Sequence, residues 1–168
     1  MRMTLCAARA LGRVLEPQEL VGVVEEIAAR PSSWRDHEPP VDGQRHYASL
    51  HRDDNVDVWA IFWMPENDTG WHDHDVSSGA VRIVRGTLQE HAMCIGGERP
   101  PRLYSAGASF SFGPTHIHRL TCAQPSTVSI HAYSPPLWRL GQYAVSNGGT
   151  LRRVSISYAD ELRPIEVA

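Results

Sequence analysis

Apolar and polar residues alternate with a helical period only near the start of the chain. Within residues 16–30, four apolar side chains recur at three- and four-residue intervals: Leu20, Val23, Val24 and Ile27. Pro17 suits the first turn of a helix, and Pro31 lies just beyond the last turn. The pattern therefore predicts one amphipathic helix over this segment.

Residues 31–44 are rich in proline and polar residues, which predicts a loop. From about residue 45 the pattern changes to short apolar runs. The runs are β-branched or aromatic and end at glycine or proline, which predicts strands. The predicted strands are residues 56–64, 80–86, 87–94, 108–113, 126–134 and 151–158. Many short strands with short connections are typical of a sandwich or small barrel. We expect an all-β fold, a small β-barrel, behind a helical segment at about 1–30.

Length, charge and cysteine content narrow the function classes. A chain of 168 residues is the usual size of one domain, so residues 1–168 are expected to form a single domain with the barrel at about 45–160. A net charge of -3 offers no basic surface, so we expect no nucleic-acid and no membrane partner. No apolar run reaches the roughly 18 residues of a membrane span. Three cysteines at wide spacing argue against a disulfide framework and favour a cytoplasmic protein.

The stretch GWHDHDVSSG carries two histidines, His72 and His74, at alternate positions. Alternate residues of a strand share one face, so both imidazoles can reach one metal ion. A third ligand must come from another strand, and PTHIHRL offers His116 or His118. An isolated H-x-H pair also occurs by coincidence in surface loops, so the pair alone does not establish a metal site.

A second alternating set, Ser129, His131 and Tyr133, occurs in the predicted strand 126–134. All three side chains share one face, which permits a hydrogen-bonded relay ending at the tyrosine hydroxyl. An ordinary half-buried strand is the alternative interpretation of these residues, because serine and tyrosine are common in strands.

The glycine and histidine spacing of residues 70–86 resembles the first motif of the cupin family, and residues 107–118 resemble the second. This resemblance implies a cupin, jelly-roll-like barrel and selects His118 rather than His116 as the third ligand. Gly79 stands where the first cupin motif usually has a glutamate. The sequence thus keeps the motif spacing without the usual carboxylate ligand.

The segments HDH, GTL, HRL and SIHAYSPP together resemble the thiol dioxygenases, the cysteine dioxygenase family of cupins, over residues 45–158. This resemblance implies non-haem Fe(II) held by the three histidines: His72, His74 and His118. It also implies that Ser129, His131 and Tyr133 form the family's catalytic relay. The expected substrates are a small thiol and O2, and the expected product is the sulfinic acid.

The missing glutamate is consistent with that chemistry. Three neutral imidazole ligands add no negative charge, so Fe(II) keeps its full double positive charge. A thiolate ligand from the substrate would neutralise part of that charge. Mammalian members crosslink a cysteine to the relay tyrosine, but Gly79 occupies the corresponding place, so we expect no crosslink.

Substrate-binding residues are predicted from the same resemblance. Family members have a Y-x-R strand whose arginine pairs with the substrate carboxylate, whereas this chain has Arg45 before Tyr47. Arg45 can pair with the carboxylate of cysteine, the favoured substrate, or of 3-mercaptopropionate, unless it is simply solvated. Trp63 and Ile156 are predicted to line the pocket, although core packing explains both equally well. A cupin of different metal chemistry and a non-catalytic sensor module are the alternative functions.

Overall fold

The computed structural model describes residues 3–39, 44–94, 97–146 and 151–157. Three helices come first: α1 (Leu5–Leu11), α2 (Pro17–Ala28) and α3 (Ser32–Arg35). Twelve described strands follow: β1 (His46–Arg52), β2 (Asp57–Trp63), β3 (Trp71–Asp73), β4 (Ser78–Arg85), β5 (Thr87–Cys94), β6 (Gly97–Glu98), β7 (Arg102–Ser105), β8 (Ser109–Phe112), β9 (His118–Cys122), β10 (Thr127–Ser134), β11 (Arg139–Val145) and β12 (Leu151–Ser157). The predicted β fold with a helical N-terminal segment is confirmed.

The strands form two antiparallel sheets. The first sheet has the order β1-β2-β10-β4-β8, and the second has the order β12-β11-β3-β9-β5-β6, with β7 also paired to β5. Within the described ranges no strand pair joins the two sheets, so the predicted barrel takes the form of an open jelly-roll sandwich. Residue 158 of the predicted last strand lies outside the described residues, and a single domain over 1–168 stays a prediction.

Helix α2 has the position and the buried face that the apolar period predicts. It starts after Glu16, which forms a capping box with Glu19, and Pro17 occupies the first turn. Its buried side chains are the four apolar residues of the pattern: Leu20, Val23, Val24 and Ile27. They pack on β4 and β10 of the five-stranded sheet. Within the loop predicted at 31–44, α3 adds a short helical turn, and residues 40–43 lie outside the described residues.

Strand β10 separates two different environments, although every one of its residues is buried. One set of alternate side chains joins the apolar cluster under the helices: Val128, Ile130 and Ala132. The other set lies between the two sheets: Ser129, His131 and Tyr133. The fold therefore places the polar set of β10 towards the strands that carry the histidines. None of the helices in the described ranges is long and apolar enough to cross a membrane.

Candidate metal centre

Two short strands bring three histidines together. His72 is the central residue of β3 and His74 follows directly after the strand, and β9 pairs with β3 so that His118 is opposite His72. The ring centroids are 4.7 Å apart for His72 and His118, 4.9 Å for His72 and His74, and 5.2 Å for His74 and His118. Each ring offers a nitrogen within 4.8 Å of the others, and all three residues are buried. The structure thus brings together the three histidines that the sequence predicts as ligands.

The hydrogen bonds of these rings leave nitrogens available for a metal. His72 donates from Nδ1 to the Gly70 carbonyl at 3.1 Å, and Nδ1 of His118 lies 3.0 Å from Oε1 of Glu90. By contrast, Nε2 of His118 and Nδ1 of His74 are buried and have no hydrogen-bond partner among the described residues. Because a buried polar atom without a partner is costly, these nitrogens fit a bound metal ion.

Burial keeps two of the three histidines, His74 and His118, in the form that binds metals. It lowers the pKa of His118 to about 3, against the opposing effect of its hydrogen bond to Glu90. Burial, followed by the charges of His72 and His118, also lowers the pKa of His74 well below its usual value. Neutral imidazoles at pH 7 present a free nitrogen lone pair to a metal.

Glu90 is a candidate functional residue that the sequence patterns did not predict. It is 6% exposed, and its Oε1 accepts hydrogen bonds from Nδ1 of His118 at 3.0 Å and Nε2 of His116 at 2.9 Å. Burial would raise the pKa of Glu90, but the hydrogen bonds from the two histidines lower it to about 2. A carboxylate behind a ligand histidine fixes its tautomer and orientation. The sequence did contain one signal for Glu90. Leu88 and Glu90 occupy alternate positions of β5 and are both buried, so an acidic residue lies on the buried face of this strand.

The place of the usual cupin glutamate is closed. Gly79 is paired with Tyr133 on β10 and with Phe112 on β8. A Cβ at Gly79 would lie 2.4 Å from the Phe112 ring, which also stacks on His74 at a centroid distance of 4.6 Å. Neither a glutamate nor a crosslinking cysteine fits there without displacing Phe112. In the part of the chain that the structure describes, no fourth ligand side chain joins the three histidines.

The predicted relay residues form a chain of hydrogen bonds. Nε1 of Trp63 donates to Oγ of Ser129 at 2.8 Å, and Oγ of Ser129 lies 2.7 Å from Nε2 of His131. Nδ1 of His131 lies 3.2 Å from the hydroxyl of Tyr133. The indole N–H of Trp63 can only donate, so the Ser129 hydroxyl accepts from it and donates its own proton to Nε2 of His131. The His131 proton is then on Nδ1, which donates to the Tyr133 hydroxyl.

The protonation of the relay histidine agrees with this direction of hydrogen bonding. Burial, followed by the charge of His118, lowers the pKa of His131 to about 3, so its ring is neutral at pH 7. A neutral ring has one donor nitrogen and one acceptor nitrogen, as the chain requires. The Tyr133 ring stacks on His74 at a centroid distance of 5.1 Å, which places the end of the relay beside the histidine group.

A small cavity adjoins the three histidines and Tyr133. Its volume of about 40 Å³ is small, which favours a compact ligand. Much of its remaining lining is apolar: Trp59, Ile61, Trp63, Leu120, Leu137 and Leu140. A small, apolar cavity beside a cluster of neutral imidazoles is suited to a compact substrate shielded from water.

Arg45 and Tyr47 also line this cavity, as predicted. The Arg45 guanidinium carbon lies 5.1 Å from the Tyr47 ring centroid and 5.5 Å from that of Trp63. Its Nη1 is buried and has no hydrogen-bond partner among the described residues. This nitrogen is therefore shielded from solvent, unlike in the alternative interpretation, and it offers an unused donor to an anionic ligand.

Ile156 was also predicted to line the pocket, but it is not among the residues that line this cavity. Ile156 pairs with Leu140 across β11 and β12, and Leu140 lines the cavity whereas Ile156 does not. Ile156 is partly buried at the margin of the apolar cluster between the sheets. Since β12 is the outermost strand of its sheet, its inward-facing residues lie one strand further from the cavity than those of β11.

Comparison with known proteins identifies the family. The sequence matches the family model of cysteine dioxygenase type I over residues 12–146. The chain belongs to this family. Membership confirms the family inferred from the motifs and supports a cupin metalloenzyme of the dioxygenase type. No curated protein sequence matches the chain.

Solved structures share the fold at low sequence identity. The protein TT1209 from Thermus thermophilus is 10% identical, with a TM-score of 0.53 over 61% of this chain and 93% of that one. KdgF from a Halomonas species is 14% identical, with a TM-score of 0.52 over 61% and 91%. A conserved protein with a double-stranded β-helix domain from Klebsiella pneumoniae is 12% identical, with a TM-score of 0.52 over 71% and 91%. These similarities show the cupin-type fold alone.

Proposed function

We propose that this cysteine dioxygenase family member is a non-haem Fe(II) thiol dioxygenase. In the overall reaction, a small thiol and one O2 give one sulfinic acid, and both oxygen atoms become bonded to sulfur. One observation supports this proposal above the others: three buried histidines, with no carboxylate as a fourth ligand among the described residues, face a small cavity that is also lined by Arg45, whose Nη1 has no hydrogen-bond partner there.

The donor set fits Fe(II) and a thiol substrate. His72, His74 and His118 would hold the metal through neutral nitrogens, which leave its double charge uncompensated. When bound, Fe(II) supplies the positive charge that deprotonates a thiol, whose free pKa is about 8.5, and the redox chemistry that activates O2. Glu90 keeps His118 oriented through its Nδ1, and Phe112 keeps the position beside Gly79 closed to a protein ligand.

The other cavity residues orient the substrate and protect the reaction. Arg45 would pair with the carboxylate of the thiol, because a guanidinium binds a carboxylate through two parallel hydrogen bonds. Tyr133, fixed from behind by His131, would donate its hydroxyl proton in a hydrogen bond to the reacting oxygen. The apolar lining excludes water, which strengthens both interactions.

Cysteine is the favoured substrate by family membership, and a thiol acid without an amine is the second candidate. The residues that line the cavity include the cation Arg45 but neither aspartate nor glutamate. No described lining residue therefore offers a carboxylate to a substrate ammonium group. This charge pattern favours 3-mercaptopropionate as the alternative to cysteine.

Oxygen uptake by the Fe(II)-reconstituted protein tests this proposal. We expect thiol-dependent uptake with cysteine or 3-mercaptopropionate, release of the sulfinate, and weaker uptake with cysteamine, which has no carboxylate. Arg45→Leu is expected to raise the KM of the carboxylated thiol about 10-fold or more and to leave that of cysteamine unchanged. No uptake with any of these thiols would favour a cupin of different metal chemistry or a sensor module.

A further inference from the structure

Asp73, the last residue of β3, lies between His72 and His74 in the sequence and points to the opposite face of the strand. Arg153 binds its carboxylate through two bonds, from Nε to Oδ2 and from Nη2 to Oδ1, each 2.9 Å long. The Tyr143 hydroxyl donates to Oδ2 at 2.5 Å, and the Gly141 amide donates to Oδ1 at 3.1 Å. Asp73 is 6% exposed, so this carboxylate is buried and fully engaged from β11 and β12.

The same guanidinium reaches the residue that follows His74. Nη2 of Arg153 lies 3.1 Å from Oδ1 of Asp75, whose backbone amide donates to Oδ1 of Asp73 at 2.9 Å. One arginine from β12 therefore contacts the residues on both sides of His74. Burial would raise the pKa of Asp73, but the hydrogen bonds from Arg153 and Tyr143 outweigh it and hold the pKa below its usual range.

The backbone of β11 leaves room for this contact. A Cβ at Gly141 would lie 2.2 Å from Nε of Arg153, so the guanidinium crosses β11 directly over the glycine. Gly141 is also the residue paired with Asp73. Strand β3 has only three residues, and its ladder to β9 consists of the pair of His72 with His118. A strand this short has few ladder hydrogen bonds to fix it, which increases the importance of side-chain contacts.

We propose that Asp73, Arg153 and Tyr143 form a clasp that positions His72 and His74 for metal binding. The clasp holds β3 from the outer face of the sheet, while the two imidazoles point inward from the same short segment. Its members touch neither substrate nor metal and are positioning residues. The inference rests on the metal site of the proposed function, but it does not depend on which thiol is oxidised.

Metal affinity of the intact protein tests the clasp. Arg153→Met is expected to weaken Fe(II) binding, measured anaerobically by chelator competition, about 10- to 100-fold, the usual effect of losing a residue that orients a ligand. It should also alter the visible absorption of the Co(II)-substituted protein, which reports ligand geometry. Arg153→Lys, which keeps the charge without the two-bond fork, should recover part of the affinity.

The matched control is the exposed ion pair of Arg13 and Glu19. Here too the guanidinium donates two hydrogen bonds to the carboxylate, at 2.8 and 2.7 Å. Arg13→Met should change neither Fe(II) affinity nor the Co(II) spectrum. If Arg153→Met does not fold, Tyr143→Phe replaces it and should weaken Fe(II) binding in the same direction, about 3-fold or more. A folded clasp variant with unchanged affinity and spectrum would overturn the inference. A wild-type protein that binds Fe(II) but oxidises no thiol would refute the proposed function alone.

Discussion

The two faces of β10 are equally buried but chemically opposite. Towards the helices, Val128, Ile130 and Ala132 pack in a cluster of apolar side chains. Towards the second sheet, Ser129, His131 and Tyr133 occupy the alternate positions and bond to one another and to Trp63. The apolar face needs only volume and shape, whereas each polar group on the inner face needs a partner.

This difference separates the residues that stabilise the protein from those to which we assign a part in the proposed reaction. Removing atoms from the apolar face lowers the free energy of unfolding and leaves the cavity intact. Removing a group from the inner face breaks the hydrogen-bond chain that ends beside the three histidines. Each face therefore has its own expected response to substitution.

The largest effect is expected at the histidine group. His118→Ala removes the proposed ligand on β9, so bound Fe(II) should fall to background and kcat by at least about 1,000-fold. Iron content per chain and thiol-dependent oxygen uptake measure both. The exposed His37→Ala is the matched control and should keep full iron content. Full iron in His118→Ala would exclude this histidine as a ligand.

The end of the relay should affect turnover without affecting metal content. Tyr133→Phe removes one hydroxyl donor and is expected to lower kcat about 100-fold, the usual effect of losing a donor to a reacting oxygen. Iron content should stay at the wild-type level because the ring that stacks on His74 is retained. An unchanged kcat would show that the hydroxyl has no part in the reaction.

The inner face should also make stability depend on pH. Burial lowers the folded-state pKa of His131 to about 3, whereas an unfolded histidine has a pKa of about 6.5. Below about pH 6.5 the unfolded state binds more protons, so stability is full above this pH and is lost as the pH falls towards 3.

Urea unfolding of the metal-free protein between pH 7 and 4 measures this dependence. His131→Asn should flatten the slope by about one proton, or roughly 1.4 kcal/mol per pH unit. Parallel curves for wild type and His131→Asn would contradict a neutral buried histidine.

The apolar face should show the smallest effect and no effect on chemistry. Ile130→Val deletes one methylene group of a fully buried side chain and is expected to lower the free energy of unfolding by about 1 kcal/mol. Its kcat, KM and iron content should match the wild type. A change in kcat at this position would show that the two faces are not independent.

Sequence patterns predicted the parts of the molecule that depend on local spacing. The period of three and four residues located α2, and the alternation of β10 placed Ser129, His131 and Tyr133 on one face. The family motif distinguished His118 from His116, and the structure places His118 in the histidine group.

Contacts between distant segments were not predictable from these patterns. Glu90 lies 28 residues before His118, and Arg153 lies 80 residues after Asp73, so no local period indicates either pairing. The family resemblance suggested Ile156 as a pocket residue, but it did not indicate that β12 lies at the edge of its sheet. Strand order depends on long-range packing, which one sequence does not display.

Isotope labelling of the product is the most direct test of whether the protein is a thiol dioxygenase. The Fe(II)-reconstituted protein is supplied with 18O2 and either cysteine or 3-mercaptopropionate, and the sulfinate is analysed by mass spectrometry. A thiol dioxygenase gives one sulfinate per O2 consumed, and both oxygen atoms of the sulfinate group are expected to carry the label. A product with one labelled oxygen or none, or oxygen uptake without any sulfinate, would contradict this function.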